Sequence, residues 1–258
     1  YSYALKQLDK FIDIGYQDYA KYRSDPSKEA SSQLSPYFHF GQISTHEVFE
    51  KISNLEMWSL ESVDPKMVGR REGWWGSTEN FESFMDELIT WRELGYHTCV
   101  RRANYNQYSS LPEWAIKTLD EHSSDEREHI YSLDELTYSQ THDEIWNAAQ
   151  NQLRTQGIIQ NYLRMLWGKK ILEWTPNPQL ALSYMITLND RYSLDGRDPN
   201  SYSGVFWILG RYDRAWGPER NIYGKIRYMT SDSTAKKFNL KPYLEKWSNE
   251  SLGITTSL

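Results

Sequence analysis

The spacing of apolar residues is helical in almost every segment where it is regular. In residues 3–22 the apolar positions recur at intervals of three and four, the repeat of one face of an α-helix. The same spacing occurs in four further segments, 81–100, 143–156, 158–174 and 178–188. Few segments alternate with the period of two that a half-buried strand requires. The pattern predicts an all-α protein.

Glycines and prolines mark where these helices should end. Gly157 directly follows the segment 143–156, and glycine is the common residue just beyond a helix C-terminus. Residues 61–78 contain one proline, three glycines and two adjacent tryptophans, which predicts a long flexible loop. Residues 248–258 are expected to form a tail. No internal repeat is found, so residues 1–258 are expected to make one compact helical domain.

Composition excludes several classes of protein. Apolar residues make up 39 % of the 258 residues and charged residues 25 %, which excludes a disordered or low-complexity chain. The one cysteine, Cys99, excludes an internal disulfide framework and a multi-cysteine zinc or iron–sulfur site, and no metal is expected. No apolar run approaches the roughly 18 residues that span a bilayer. We expect a soluble intracellular monomer, in the cytoplasm, nucleoid or nucleus, with no membrane partner.

The charges are unevenly distributed. The net charge of −6 argues against indiscriminate binding to polyanions. Residues 113–144 hold ten acidic and two basic side chains, which indicates a solvated face. Residues 205–241 hold eight basic side chains against three acidic ones, with Trp207, Trp216, Tyr223 and Tyr228 among them. Cations that bind phosphates and rings that stack on bases are what nucleic-acid binding requires, although a solvated helix–loop surface has the same composition.

A serine-rich stretch precedes a helix predicted over residues 38–52. Residues 31–37 contain three serines and a proline. Free backbone N–H groups at a helix start, with serine hydroxyls nearby, form an anion site that suits a pyrophosphate. Serine followed by proline is also the ordinary way for a helix to begin, so both interpretations stay open.

Two charged residues, Glu87 and Arg164, lie beside aromatic or apolar residues of predicted helices. Glu87 and Trp91 are four residues apart and share one helix face. A carboxylate beside an aromatic plane could hold a nucleobase edge, or it could be a surface acid beside a core tryptophan. Arg164 lies in an otherwise apolar helix, where a buried guanidinium requires an anionic partner. Asp195, in the turn-like segment 195–200, is one candidate.

Aromatic residues are abundant, with 11 Trp, 19 Tyr and 8 Phe. Trp146, Trp167 and Trp174 fall in consecutive predicted helices, and the last two are seven residues apart on one helical face. Three such rings could be core packing, or a chain of redox centres between an interior cofactor and solvent. Their spacing does not choose between the two.

Four motifs, in order, resemble those of the class II cyclobutane pyrimidine dimer DNA photolyases, a branch of the photolyase/cryptochrome family. They are LSPYFHFGQIS at 34–44, LRMLWGKKILEW at 163–174, LNDRY at 188–192 with DGRDPN at 195–200, and YGKIRYM at 223–229. The similarity runs from about residue 9 to residue 238. It implies the compact multi-helix FAD-binding domain of photolyase/cryptochrome type, without the family's N-terminal α/β antenna domain.

The resemblance implies FAD as the cofactor and assigns residues to it. In the family's pattern Arg164 and Asp195 form an ion pair beside the flavin, and Asn189 faces its N5 atom. The full set of matching cofactor positions is Tyr19, Ser31, Ser32, Leu34, Ser35, Asn161, Arg164, Asn189, Asp195 and Arg197.

It also assigns residues to catalysis and DNA. Glu87 matches the carboxylate that contacts the damaged base pair, and Asn189 acts at the flavin. Trp91 and Trp207 match the walls of the dimer pocket, and Met165 a packing contact to the dimer. The expected electron-transfer residues are Trp146, Trp167 and Trp174, and the expected DNA-binding residues are Lys225, Arg227, Lys236 and Lys237.

The activity so implied is light-driven repair of pyrimidine dimers in DNA, with reduced FAD as electron donor: a deoxyribodipyrimidine photolyase whose partner is dimer-containing DNA. Two departures from the family's usual sequence favour a cryptochrome-like photoreceptor without repair. Glu47 replaces a cation near the DNA-facing surface, where a carboxylate repels phosphate, and Gln160 differs from the usual motif. A helical interaction module that has lost its flavin is the third alternative.

Overall fold

Helices make up the regular secondary structure of the part of the chain that this computed structural model describes, residues 1–70 and 72–254. No β-sheet is present in those residues, so the predicted all-α fold is confirmed. The α-helices there are α1 (Ser2–Lys10), α2 (Tyr19–Tyr22), α3 (Ser35–His39), α4 (Thr45–Leu55), α5 (Glu79–Met85), α6 (Arg92–Arg101), α7 (Glu113–Glu121), α8 (Leu133–Thr137), α9 (Glu144–Gln156), α10 (Asn161–Glu173), α11 (Pro178–Tyr192), α12 (Pro199–Ile208), α13 (Ser231–Lys237) and α14 (Lys241–Trp247).

Two compact units divide the chain, a first unit of Tyr1–Tyr96 and a second unit of His97–Leu258. Each unit has its own apolar core. In the first unit the core is rich in aromatic rings, such as Phe11 and Phe84, whose centroids lie 5.1 Å apart. The single domain predicted over residues 1–258 stays a prediction. None of the helices in the described residues is long and apolar enough to cross a bilayer.

The helices predicted over 3–22 and 81–100 are present but are not uniform. A π-helical turn, Phe11–Gly15, and a 3-10 turn separate α1 from α2. A second π-helical turn, Asp86–Trp91, separates α5 from α6. There the indole N–H of Trp91 donates to Asp86 Oδ2 at 3.0 Å, a spacing of five residues that fits the wider turn of a π-helix. The sequence spacing located these segments but gave no sign of the wider turns.

The single helix predicted over residues 38–52 is wrong. The structure has two helices there, α3 and α4, separated by five residues. Gly41 has a φ of +63°, a left-handed conformation that ends a helix and that glycine adopts without penalty. Ser44 then begins α4, because its hydroxyl accepts the backbone N–H of Glu47 at 3.0 Å.

The helices predicted in the second unit are confirmed, with shifts at their ends. Asp143 caps α9 by accepting the N–H of Trp146 at 2.9 Å, and Gly157 ends it with a φ of +70°. Helix α10 begins at Asn161, three residues later than predicted, because Gln160 Oε1 accepts the N–H of Leu163 at 3.1 Å. Helix α11 runs on to Tyr192.

The predicted loop and tail both have contacts within their units. In the loop, Trp75 accepts the indole N–H of Trp58 at 2.6 Å through its backbone oxygen, and Arg71 lies outside the described residues. In the tail, Asn249 donates to the backbone oxygen of Ser139 at 2.8 Å. The rest of the predicted tail, residues 255–258, lies outside the described residues.

Replacing Gly157 with alanine is expected to destabilise the chain. A Cβ atom at Gly157 would lie 2.4 Å from Leu194 Cγ, and the φ of +70° disfavours any L side chain. Both effects act against the variant, so we expect a loss of at least about 1 kcal/mol in the free energy of unfolding by urea.

Gly204→Ala is the matched control. Gly204 lies inside α12 and has open space where a Cβ would be. Because alanine is the better helix former, we expect this variant to gain roughly 0.5–1 kcal/mol. Equal effects of the two substitutions would contradict the left-handed cap at Gly157.

Candidate functional site

Arg164 is the centre of a half-buried polar cluster in the second unit. It lies in the first turn of α10, and its Nη1 donates to Asn189 Oδ1, in α11, at 2.7 Å. Its Nη2 lies 3.9 Å from Asp195 Oδ1, and both charged side chains are 17 % exposed. The anionic partner that the sequence required is therefore in place. Removing one member of an enclosed ion pair leaves the other charge uncompensated, which is strongly destabilising.

Asp195 is itself held by hydroxyl groups. Ser193 donates from its hydroxyl to Asp195 Oδ1, and Ser201, in α12, donates to the backbone oxygen of Asp195 at 2.8 Å. These bonds fix the carboxylate in the turn between α11 and α12. The orientation of the Arg164 partner is therefore determined before any ligand binds.

Asp190 completes the same region. Its Oδ1 accepts Nδ2 of Asn189 at 3.3 Å and the backbone N–H of Arg197 at 3.1 Å. Its Oδ2 accepts the hydroxyl of Tyr202 at 3.2 Å, and burial together with the Asp190 charge raises the pKa of Tyr202 to about 12. Arg197 has a φ of +68° and an exposed side chain, so Asp190 holds its backbone while its guanidinium extends outward.

The cluster offers guanidinium and amide donors beside carboxylate and amide acceptors. Asn189 is 2 % exposed, and its amide can donate and accept at once. Such a mixture at the edge of a helical core can bind a planar heterocycle whose rim alternates donors and acceptors, and the flavin ring is one. Asn161 is exposed at the start of α10, and Met165 is half-buried on the same helix. The residues present therefore fit a flavin.

The cofactor residues expected in the first unit are less uniform. Tyr19 is 6 % exposed, and burial raises the pKa of its hydroxyl. Its ring packs edge-on against Phe11 at 5.7 Å and Phe84 at 5.3 Å. Tyr19 is thus a member of the core, with the guanidinium of Arg23 5.8 Å from its ring.

The serine-rich stretch lies before and within the start of α3. Ser31 is half-buried, and the backbone oxygen of Ser32 accepts Gln7 Nε2 at 2.8 Å. Leu34 is fully buried and is the residue that precedes α3, whereas Ser35 is its exposed first residue. Helix α3 begins at Ser35, with Leu34 at its N-cap and no side-chain cap, so Ser35 is not the capping residue that ordinary helix initiation would make it.

Glu87 and Trp91 both have acid–base or hydrogen-bond partners in the first unit. Glu87 Oε1 accepts a hydrogen bond from Arg23 Nη1, and the side chains are 34 % and 18 % exposed. The indole of Trp91 donates to Asp86. Arg23 was not singled out from the sequence, because its partner is far away along the chain.

The three expected electron-transfer tryptophans lie together in the second unit. Trp146, Trp167 and Trp174 are 0 %, 2 % and 2 % exposed. The rings of Trp146 and Trp174 meet edge-to-face with centroids 5.6 Å apart. The indole of Trp146 donates to the backbone oxygen of Trp167 at 2.9 Å, and that of Trp167 to Gln150 Oε1 at 2.9 Å. The three side chains are therefore packed and fixed in the core, and their role in electron transfer stays a prediction.

Trp207 belongs to a layered group of rings and cations. The Arg227 guanidinium lies 5.3 Å from the ring of Trp207 and 4.3 Å from that of Trp216. Asp213 joins the group, because its Oδ2 is 3.3 Å from Arg227 Nε and its Oδ1 accepts the Trp216 indole at 3.1 Å. Cation–π contacts of this kind contribute about 0.5–2 kcal/mol each.

The other expected DNA-binding cations are exposed. Lys225 Nζ lies 3.2 Å from Glu219 Oε1, and its backbone N–H donates to Thr118 Oγ1 at 3.0 Å. Lys236 and Lys237 lie in the last turn of α13, with Lys237 Nζ 4.4 Å from the ring of Tyr162. The loop that carries Lys225 is therefore held in place while its charges face outward.

Lys169 is a buried cation that sequence reasoning missed. It is 1 % exposed, and its Nζ donates to the backbone oxygen of Ile208, the last residue of α12. Burial lowers its pKa to about 7. The signal was present as a lysine in the apolar segment 163–172. Its contact supports the end of the helix that carries Trp207.

No protein-family model matches the chain. It is 41 % identical over 245 residues to a deoxyribodipyrimidine photo-lyase of Methanothermobacter thermautotrophicus, covering 95 % of this chain and 50 % of that protein. To the protein of the same name from Arabidopsis thaliana it is 41 % identical over 238 residues, with 92 % and 44 % covered. The Potorous tridactylus protein of that name is 40 % identical over 243 residues, with 94 % and 42 % covered. The chain spans half or less of the length of these relatives.

Solved structures give the fold. A class III photolyase from Agrobacterium tumefaciens matches with a TM-score of 0.65 at 20 % identity, and a Synechocystis cryptochrome with 0.67 at 15 %. Each match covers 95 % of this chain and 44 % of the other. The chain has the helical fold of photolyases and cryptochromes. The expected fold is thereby confirmed.

The pair of Arg164 and Asp195 is expected to be energetically coupled. In a double-mutant cycle of Arg164→Met and Asp195→Asn, followed by urea unfolding, we expect a coupling energy of about 1–3 kcal/mol, because the pair is enclosed. The exposed pair Lys241–Glu245, 3.9 Å apart, is the control, with an expected coupling of about 0.5 kcal/mol or less. Equal coupling in both pairs would contradict the enclosed geometry.

Proposed function

We propose that this chain is the FAD-binding part of a class II cyclobutane pyrimidine dimer photolyase, and that it repairs pyrimidine dimers in DNA in the light. The observation that carries the proposal is the polar cluster of Arg164, Asn189 and Asp195, which offers paired donors and acceptors at positions that match the flavin contacts of that family. The similarity to proteins named deoxyribodipyrimidine photo-lyase supports it.

Bound FAD in its reduced state would absorb the light and supply the electron that splits the cyclobutane ring. In this proposal Arg164 donates hydrogen bonds to the flavin edge, with Asp195 keeping the guanidinium oriented. Asn189 carries two amide hydrogens, one of which is donated to Asp190. In this proposal the Asn189 amide also forms a hydrogen bond with flavin N5. Asn161 and Arg197 would add polar contacts from α10 and from the turn after α11.

In the first unit, taken by itself, the resemblance assigns two sets of residues. Ser31, Ser32 and Ser35 would bind the phosphates through hydroxyl and backbone N–H groups, with Tyr19 and Leu34 supporting them from the core. Glu87 Oε1 is engaged by Arg23, and the proposal gives its other oxygen to the base edge of the dimer. A carboxylate held in this way can accept a charge-assisted hydrogen bond from the imide N–H of the base and so position the dimer.

The extruded dimer would be bound by aromatic rings. Flipping a base costs a few kcal/mol, less for a damaged base, and stacking returns about 1–3 kcal/mol per base. In the second unit Trp207 and Met165 would contact the dimer, and in the first unit the resemblance assigns Trp91 to the same role. Arg227 lies against the Trp207 ring, so the same group would link the lesion to the phosphates. Lys225, Lys236 and Lys237 would add phosphate contacts.

A photoreceptor without repair activity is the second candidate. It is favoured by the pairing of both loop cations with acids, Lys225 with Glu219 and Arg227 with Asp213, which reduces their attraction for phosphate. The two sequence departures weigh less. Glu47 lies in the first turn of α4, where an acid stabilises the helix dipole, and Gln160 caps α10.

Repair of a defined lesion tests the proposal. The chain is loaded with FAD, reduced, and mixed with an oligonucleotide that contains one thymine dimer, in blue light and in the dark. We expect loss of the dimer in the light only, with about a tenfold or greater loss of rate in Glu87→Gln, because its neutral amide is a weaker hydrogen-bond acceptor than a carboxylate and holds the base edge less firmly. Glu245→Gln is the control, because Glu245 is an exposed residue of α14.

The binding arm separates the two candidates. A repair enzyme binds lesion-containing duplex more tightly than intact duplex at a fixed salt concentration, whereas a photoreceptor does not discriminate. Full flavin occupancy with no repair and no preference for the lesion would overturn the repair function.

The tryptophans are expected to act in reduction of the flavin and not in repair. Trp174→Phe should slow light-driven reduction of the oxidised flavin, because it replaces the oxidisable indole that contacts Trp146 with a phenyl ring that is much harder to oxidise. Repair by protein that was chemically reduced beforehand should stay unchanged. Trp114→Phe, at a half-buried ring elsewhere in the second unit, is the control. An equal loss of repair from both starting states would show a purely structural role for Trp174.

A further inference from the structure

Trp174 is in contact with a tyrosine–histidine pair. Its ring meets that of Tyr131 edge-to-face at 5.4 Å and that of His142 at 5.2 Å. The backbone N–H of Tyr131 also donates to the backbone oxygen of Trp174 at 3.1 Å. These contacts lie on the opposite end of α10 from Arg164, about 15 Å along the helix axis at the standard rise. Tyr131 and His142 are not among the residues that the resemblance assigns to FAD, to DNA or to electron transfer.

Two hydrogen-bond contacts join Tyr131 and His142. The backbone N–H of His142 donates to the Tyr131 hydroxyl oxygen at 3.0 Å. The same oxygen lies 2.6 Å from His142 Nδ1. In the neutral tautomer with its hydrogen on Nε2, Nδ1 is an acceptor, and the phenol donates its proton to that nitrogen.

The surroundings favour the neutral imidazole. Burial is the main cause that lowers the pKa of His142, and His129 and Lys170 act in the same direction. Asp143 and Glu128 oppose them more weakly, and the direction of the sum is downward. At neutral pH, His142 is thus ready to take up a proton.

We propose that Tyr131 and His142 act together as a proton-coupled electron donor to oxidised Trp174. One electron passes from the Tyr131 phenol to the Trp174 radical cation, and the phenol proton passes to His142 Nδ1. The products are neutral Trp174, a tyrosyl radical and an imidazolium, so the total charge of +1 is conserved. An oxidised phenol is a very strong acid, and the 2.6 Å contact gives its proton an acceptor at once.

The proposal rests on the proposed function for its natural oxidant, the photoexcited oxidised flavin that takes an electron through the tryptophans. The pair itself does not require the flavin. It borders a cleft of about 430 Å³ whose lining includes His129, His142, Lys170 and Trp174. The His142 side of the pair is exposed, so its proton can leave to water.

Flash-quench oxidation of the flavin-free chain tests the pair. A photo-oxidised ruthenium tris-bipyridine complex removes one electron from the protein, and transient absorption follows the tryptophan and tyrosyl radicals. In the wild type we expect the tryptophan radical to convert to a tyrosyl radical. In Tyr131→Phe that conversion should be lost, and the tryptophan radical should live about a hundredfold longer. Tyr138→Phe, which removes a 50 % exposed tyrosine of the same unit, should match the wild type.

His142→Phe keeps a ring against Trp174 and removes only the proton acceptor. We expect its tyrosyl yield to fall as in Tyr131→Phe. In the wild type the conversion should slow as pH falls through the pKa of His142, since a protonated Nδ1 accepts nothing. A conversion that is independent of pH and unchanged in both variants would overturn the proposal.

A second measurement does not depend on any variant. In ¹⁵N NMR spectra of the wild type at neutral pH, His142 should be the neutral tautomer with its hydrogen on Nε2 and Nδ1 as acceptor. A hydrogen on Nδ1 would overturn the proposal. Failure of FAD to bind would overturn the proposed function while leaving both results on Tyr131 and His142 intact.

Discussion

The charge of Arg164 is the constraint on which the second unit depends. A guanidinium that is 17 % exposed must have partners, and they come from two further places along the chain, Asn189 in α11 and Asp195 in the following turn. Satisfying the charge fixes the start of α10 against α11 and orders the turn that leads to α12. The stable arrangement also presents donors and acceptors side by side, so the interaction that completes the fold produces the candidate cofactor edge.

Helix α10 joins that edge to the aromatic side chains of the second unit. Arg164 lies in its first turn, Trp167 follows one turn later, and Trp174 caps its other end. The indoles of Trp146 and Trp167 have hydrogen-bond acceptors in the core, so the rings are fixed. Lys169 of the same helix supports the end of α12, on which Trp207 lies. One helix therefore positions the polar cluster and the tryptophans and supports the helix that carries Trp207.

Sequence patterns predicted α9, α10 and α11 of the second unit, the helix end at Gly157 and the candidate pairing of Arg164 with Asp195. Each depends on local spacing, on one special backbone conformation or on the rule that buried charges are paired. The two π-helical turns could not be predicted, because apolar spacing does not distinguish them from α-helix. Three contacts could not be predicted either, because a single sequence does not show which residues of different segments lie close together. They are those of Arg23 with Glu87, Asp213 with Arg227 and Tyr131 with His142. Gly41 is visible in the sequence as a possible helix end, but the apolar spacing on both sides of it predicted one continuous helix.

A crystal structure of this chain grown with FAD tests the central claim most directly. We expect polar atoms of the flavin ring to lie within hydrogen-bond distance, about 3 Å, of Arg164 or Asn189, with Asp195 still paired to the guanidinium. A flavin ring bound at other residues, or a folded chain that keeps the Arg164 cluster and binds no FAD at saturating concentration, would contradict it.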